Sequence, residues 1–273
     1  MKQFLKSIIP TPVLQFARNT YDTFRRLPQL PAAYLHPRRR ESIRRLAELK
    51  DIHKGKRAFI LGNGPSLKQT DLTKLKNEFT FGMNRIYLLF PELGFHTTYF
   101  CATNDLVIEQ FSNDILALPM PKFLAWRSHC HFPKTLQLSN VPTFLYTSYT
   151  GPRFSPDVRG RVWEGATVTN VALQLAFHMG FEKVILIGVD HNFTSKGDAN
   201  KTVVSQGDDP NHFAPNYFAK GFKWQLPDLD TSEIGYAFAR DAYQKAGREV
   251  LDATIGGKLT IFPKVDYNSL FQR

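Results

Sequence analysis

Ala58 to Leu67 read AFILGNGPSL. Four apolar residues run into Gly62-Asn63-Gly64-Pro65-Ser66, the pattern of a buried strand that stops in a tight turn. Two glycines there serve either the turn itself or a close approach to the backbone, such as a phosphate cradled by N–H groups. No Gly-Lys-Ser/Thr follows and the spacing is not GxGxxG, so the turn is neither a P-loop nor a dinucleotide fingerprint.

Outward from this strand, apolar runs rich in β-branched and aromatic residues alternate with helical patterns. Strands are expected at 57–61, 79–83, 97–102, 122–126, 143–146, 183–187 and 249–252, and helices at 72–76, 106–116, 167–179 and 232–246. Strands separated by helices imply an α/β fold: a Rossmann-like, doubly wound, mostly parallel sheet with helices on both faces. Residues 56–273 form this domain, and 188–231 interrupt it with little periodicity and many Asp, Asn, Gly and Pro. Long irregular segments inside a domain are usually functional or disordered. Phe193, Phe213, Tyr217, Phe218, Phe222 and Trp224 argue against disorder, so this stretch reads as a lid.

The chain has 273 residues and 42% hydrophobic composition, ample for a full core, and its 23 Phe predict an aromatic one. Its net charge of +11 is uneven: residues 1–57 hold 14 Lys/Arg against 4 Asp/Glu, and the rest hold 21 against 20. A nearly neutral body argues against nucleic acid as a partner. The basic residues belong to an N-terminal extension, 1–55. There Phe4, Leu5, Ile8 and Ile9 share a helical face; Leu14, Ala17, Tyr21 and Phe24 continue at helical spacing; and Ile43, Leu46 and Leu49 follow Arg38-Arg39-Arg40. Such stripes either rest on an anionic membrane surface or dock on the body. No run approaches the roughly 20 apolar residues of a spanning helix, and Pro10 and Pro12 break any signal-peptide layout. Cys101 and Cys130 show no disulfide or zinc spacing. The expected location is the cytoplasm, peripheral on the inner face of the membrane.

Chemistry gathers at the expected strand ends, where open α/β sheets bind ligands. Asn63, Asn84 and Asn104 end three successive strands; each offers a donor and an acceptor, or merely a turn. Ser66 either caps a helix or donates to phosphate. Thr167-Val168-Thr169 opens the strongest helical pattern, where the dipole favours an anion. Asp190 and His191 follow the strand at 183–187, and Asp208, Asp209 and His212 lie in the lid. His212 is the best-placed base.

These segments resemble the bacterial sialyltransferases that use CMP-sialic acid. The likeness runs from Gly62-Asn63-Gly64-Pro65-Ser66-Leu67 through Gly82–Tyr87, Phe100–Asn104 and Thr167–Thr169 to Gly188-Val189-Asp190-His191. The skeleton is also similar to motility-associated flagellin glycosyltransferases. Including DDPNHFAPNYF and DATIGGKL, the chain looks most like the bacterial branch of the 6-hydroxymethylpterin diphosphokinase-like family. The sialyltransferase resemblance implies that Asn63, Ser66, Asn84, Asn104, Thr167, Thr169 and Asp190 line a CMP-sugar site; Gly62, Gly64 and His191 complete the expected nucleotide-binding set. Val168 and Thr169 stand where those enzymes have Ser-Gly, and no histidine stands just before Ser232.

The leading expectation is a glycosyltransferase of surface-glycan assembly. It would take a nucleotide-sugar donor and a glycan or lipid-linked acceptor, with His212 or Asp190 as base and no metal. One alternative is a diphosphokinase using ATP and Mg²⁺, with Asp190, Asp208 and Asp209 as metal ligands. The other is a non-catalytic nucleotide-sugar binding protein. A homo-oligomer is left open.

Overall fold

The computed structural model describes residues 27–133, 141–194 and 197–272, together with Val13, Thr20, Tyr21 and Phe24. The strands are β1 (Arg57–Leu61), β2 (Phe79–Met83), β3 (Tyr99–Ala102), β4 (Lys122–Ala125), β5 (Thr143–Ser148), β6 (Arg161–Trp163), β7 (Lys183–Ile187), β8 (Thr202–Val204), β9 (Lys223–Gln225) and β10 (Glu249–Asp252). Eight of them form one sheet in the order β10-β7-β1-β2-β3-β4-β5-β6. All its pairings are parallel. The expected doubly wound fold is therefore present. From β1 the chain first winds one way to β6, then returns to β7 on the other side of β1. That reversal makes the gap between the ends of β1 and β7 the topological switch point.

The helices are α1 (Leu30–Leu35), α2 (Pro37–Glu48), α3 (Phe90–Leu93), α4 (Asp105–Ala117), α5 (Val168–His178) and α6 (Leu229–Lys245). Strands buried on both faces read as continuous apolar runs, because each face carries its own core. Phe59, Leu61, Phe100 and Ile185 belong to one core, and Ala58, Ile60, Cys101 and Val184 to the other. α5 is buried almost all round, between the sheet and α6. Its buried Asn170 and Gln174 are tolerated because their amides donate to the Trp163 carbonyl at 3.1 and 2.9 Å.

Three differences from the sequence expectations have local causes. The expected helix at 72–76 is a 3₁₀ turn, Leu72–Leu75, opened by Asp71 accepting the Thr73 N–H. β6, three residues long, carries too little pattern to be seen. The lid is neither helical nor loose: β8 and β9 form a hairpin, and Phe213, Tyr217 and Phe218 are buried in the first core.

α2 lies inside the expected 1–55 extension but belongs to the body. Leu46 and Arg39 are fully buried, Ser42 Oγ accepts the Phe144 N–H of β5 at 2.9 Å, and Arg38 donates to the His129 carbonyl at 3.3 Å. The stripe of Ile43, Leu46 and Leu49 thus docks on the protein. Tyr21, Phe24, Leu27, Leu30 and Leu35 remain exposed. The stripe of Phe4, Leu5, Ile8 and Ile9, with Leu14 and Ala17, lies outside the described residues. Among the described residues, no helix is long and apolar enough to cross a membrane.

Candidate functional site

Two adjoining chambers open above the strand ends. The first, about 160 Å³, sits at the switch point and is walled by Gly62, Asn63, Gly64, Asn84, Thr167, Thr169, Asp190, His191 and His212 among others. The second, about 390 Å³, extends over β3 and β6 and under the lid, sharing Asn84, Thr167 and His212 with the first. Asn104 borders only the second. Thus four of Gly64, Asn84, Asn104, Thr167 and Asp190 meet in one hollow, and Asn104 joins them through its neighbour.

The glycine turn resolves in favour of close chain packing. A Cβ on Gly62 would lie 2.1 Å from the Gly188 carbonyl oxygen, and one on Gly64 would lie 1.8 Å from Asp190 Oδ2. The Gly62 N–H donates to Ile187 O at 2.8 Å and the Gly64 N–H to Gly188 O at 2.9 Å. Asp190 accepts the Ser66 N–H at 3.2 Å and the Ser66 hydroxyl at 2.7 Å. The turn after β1 is therefore stitched to the turn after β7, and those donors are occupied. Ser66 stands behind the wall, and Asp190 is the clamp between the turns. The start of α5 borders both chambers. There the Thr167 hydroxyl accepts the Thr169 N–H at 3.2 Å, and Val168 is the first residue of the helix.

Backbone strain concentrates on the same hollow. Asn84, Ala166 and His191 hold φ of 51°, 55° and 53°, and all three line the first chamber. The left-handed region costs a side-chain-bearing residue about 1 kcal/mol, and such strain tends to collect where ligands bind. The side-chain oxygens of Asn63 and Asn84 are buried without a hydrogen-bond partner. Asn104 is different: its oxygen caps α4 through the N–H groups of Leu106 and Val107, and its amide donates to Gln225.

His212 stands at the junction of the chambers. Its Nδ1 lies 2.7 Å from Asp209 Oδ2, and its ring stacks on Tyr217 at 4.0 Å between centroids. The Tyr217 hydroxyl accepts the Arg85 N–H, and the Arg85 guanidinium donates to the Tyr217 carbonyl. A carboxylate only accepts, so Nδ1 carries the proton and Nε2 is left basic. Asp209, expected as a metal ligand in the diphosphokinase reading, is instead the group that orients His212. The i, i+3 spacing of Asp209 and His212 was the signal for it.

Asp208 and Asp209 border a separate depression, apart from Asp190. Among the described residues, no three His, Cys, Asp or Glu side chains are grouped to hold a metal. The acids expected to bind Mg²⁺ do not converge, so no step is derived through it. No Lys or Arg appears among the described residues lining either chamber.

Arg127, Glu164 and Asp105 escaped the sequence reading because they come from three separate strand ends. Glu164 borders the second chamber and is almost wholly buried, gripping both terminal nitrogens of Arg127. Burial pushes its carboxyl above the usual range, against the pull of Arg127.

A parallel sheet of eight strands flanked by helices, with a polar cleft at its switch point, defines a doubly wound, Rossmann-like α/β protein. The chain belongs to the 6-hydroxymethylpterin diphosphokinase MptE-like family, whose model matches residues 38–196. A solved structure, the MAf glycosyltransferase from Magnetospirillum magneticum AMB-1, is similar at 15% identity and a TM-score of 0.45. The match covers 85% of this chain and 39% of that one. No curated protein matches.

Proposed function

We propose that this chain is a glycosyltransferase using a nucleotide-activated sugar, with a CMP-linked donor in the first chamber. The observation that carries the reading is an Asp-held histidine at the edge of a switch-point chamber whose described lining has no Lys or Arg. A donor linked through one phosphate brings the least charge into such a chamber. The N-terminus of α5 suits one phosphate, not a triphosphate. The acceptor hydroxyl oxygen attacks the anomeric carbon as its proton passes to His212 Nε2. The bond from that carbon to the phosphate oxygen breaks, and its electron pair leaves with the nucleoside phosphate.

A thermal-shift panel of CMP, CDP, UDP, GDP and ATP, each with and without Mg²⁺, tests this. CMP should stabilise the protein without metal. Family membership favours a second reading, an ATP-dependent diphosphokinase, and stabilisation by ATP with Mg²⁺ alone would establish it instead. CMP binding without donor turnover in wild type and His212→Ala alike would leave a binding protein without catalysis.

The same reading places the enzyme on the inner membrane face, assembling surface glycans. Support comes from the exposed Tyr21, Phe24, Leu27, Leu30 and Leu35 on a segment of strong positive charge. Removal of residues 1–26 should weaken sedimentation with anionic liposomes while retaining docked α2. Undiminished sedimentation would refute attachment through this segment.

A further inference from the structure

The second chamber is more than twice the volume of the first and is built from different chemistry. Trp224 and Phe218 stack at 5.9 Å with 14° between their planes and form one apolar wall. Tyr149 stands at the rim, 59% exposed. The same chamber is lined by hydrogen-bonding groups without positive charge: Glu164, Asn104 and Gln225. An aromatic wall accompanied by carboxylate and amide groups is suited to a ring with one apolar face and an equator of hydroxyls.

Charge sharpens the choice. Arg127, beneath the chamber, has every N–H engaged. Nε donates to Asp105, one terminal nitrogen to Thr147 and Glu164, and the other to the Thr103 carbonyl and Glu164. No donor of this guanidinium is left for a carboxylate or phosphate. Asp228 lines the chamber too, its oxygens taken by the Thr231 N–H and the Asn200 amide. The lining acids outnumber the cations, so an acidic group entering would meet repulsion without a compensating bond.

We infer that the second chamber seats an uncharged pyranose of the acceptor glycan, stacked on Trp224, and rejects acidic sugars. This rests on the glycosyltransferase reading, with His212 at the boundary where the acceptor hydroxyl meets the donor.

Saturation-transfer NMR on the full chain, with and without saturating CMP, provides the test. The probes are methyl α-glucopyranoside, methyl N-acetylglucosaminide and methyl glucuronide. At least one neutral glycoside should bind, and the glucuronide should bind about tenfold more weakly than it. Trp224→Ala should weaken the neutral glycoside by about tenfold. Should that variant misfold, Gln225→Ala, at an exposed position, should weaken it by about threefold. Glu164→Gln should narrow the gap between glucuronide and glucoside, because Arg127 regains unspent donors. Equal binding of acidic and neutral probes would overturn the inference, as would neutral binding unmoved in a folded Trp224→Ala. Silence from every sugar in a protein that binds CMP overturns this inference alone. Sugar binding that persists without CMP binding overturns the CMP reading alone.

Discussion

The two chambers share a wall yet are made by opposite means. The first is a product of the main chain. Its wall is two turns sewn together through the N–H groups of Gly62 and Gly64, with left-handed residues at three corners. The second is a product of side chains, an Arg127–Glu164 pair below and lid aromatics above. Backbone geometry at parallel strand ends is inherited from the sheet and tolerates little change. A side-chain chamber is set by residues that can be exchanged one at a time. Chemistry common to many relatives belongs in the first kind of site, and selectivity belongs in the second.

Substitutions can break this division. The largest effect should come at the junction: His212→Ala should lower the transfer rate by about 10²–10⁴, far beyond the loss of stability from leaving the buried Asp209 carboxylate without that partner. Asp209→Asn should cost less, because the ring remains stacked on Tyr217. Product formation from a labelled donor measures both. In the second chamber, Arg127→Ala strands the buried Glu164 carboxylate and should destabilise by about 3–5 kcal/mol in urea unfolding. In the first, Gly62→Ala should cost about 1–3 kcal/mol, because the new methyl meets the Gly188 carbonyl. Equal CMP affinity of Gly62→Ala and wild type would show that the main-chain wall is not the one felt by the nucleotide.

A control outside both chambers should respond least. Hydrogen bonds from Arg159 hold the Asp157 carboxyl down at about 2, from an ordinary 3.8. A carboxyl lowered by folding adds stability above its unfolded value and surrenders it as the pH falls through the folded one. Asp157→Asn should therefore lower stability modestly at pH 7 and flatten the profile between about pH 4 and pH 2, where the variant and wild type converge, as followed by thermal unfolding.

The sheet was legible because its signals are local. β1, β2, β7 and β10 are short apolar runs closed by turn residues, and the bounds expected from them match. Most of the first chamber was legible for the same reason, since β1, β2, β3 and β7 end where their patterns end. The purpose of the glycines was not. Gly62 and Gly64 look alike whether a ligand or another turn comes close, and the approach of Gly188 is decided by the crossing of β7 beside β1. Asn104 followed its commoner role as a helix cap. The second chamber was largely hidden. Arg127, Glu164 and Trp224 are far apart in the chain, and no periodicity links them. The docking of α2 was masked by its arginines, which read as a charged surface although Arg39 lies wholly inside.

Among the lid's contacts with the first turn is the Phe213 N–H on the Asn63 carbonyl at 2.9 Å. His212 is the residue next to that anchor. In the proposed reaction the proton acceptor is thus fastened beside the very turn that walls the first chamber, so a shift of that turn would be felt at His212.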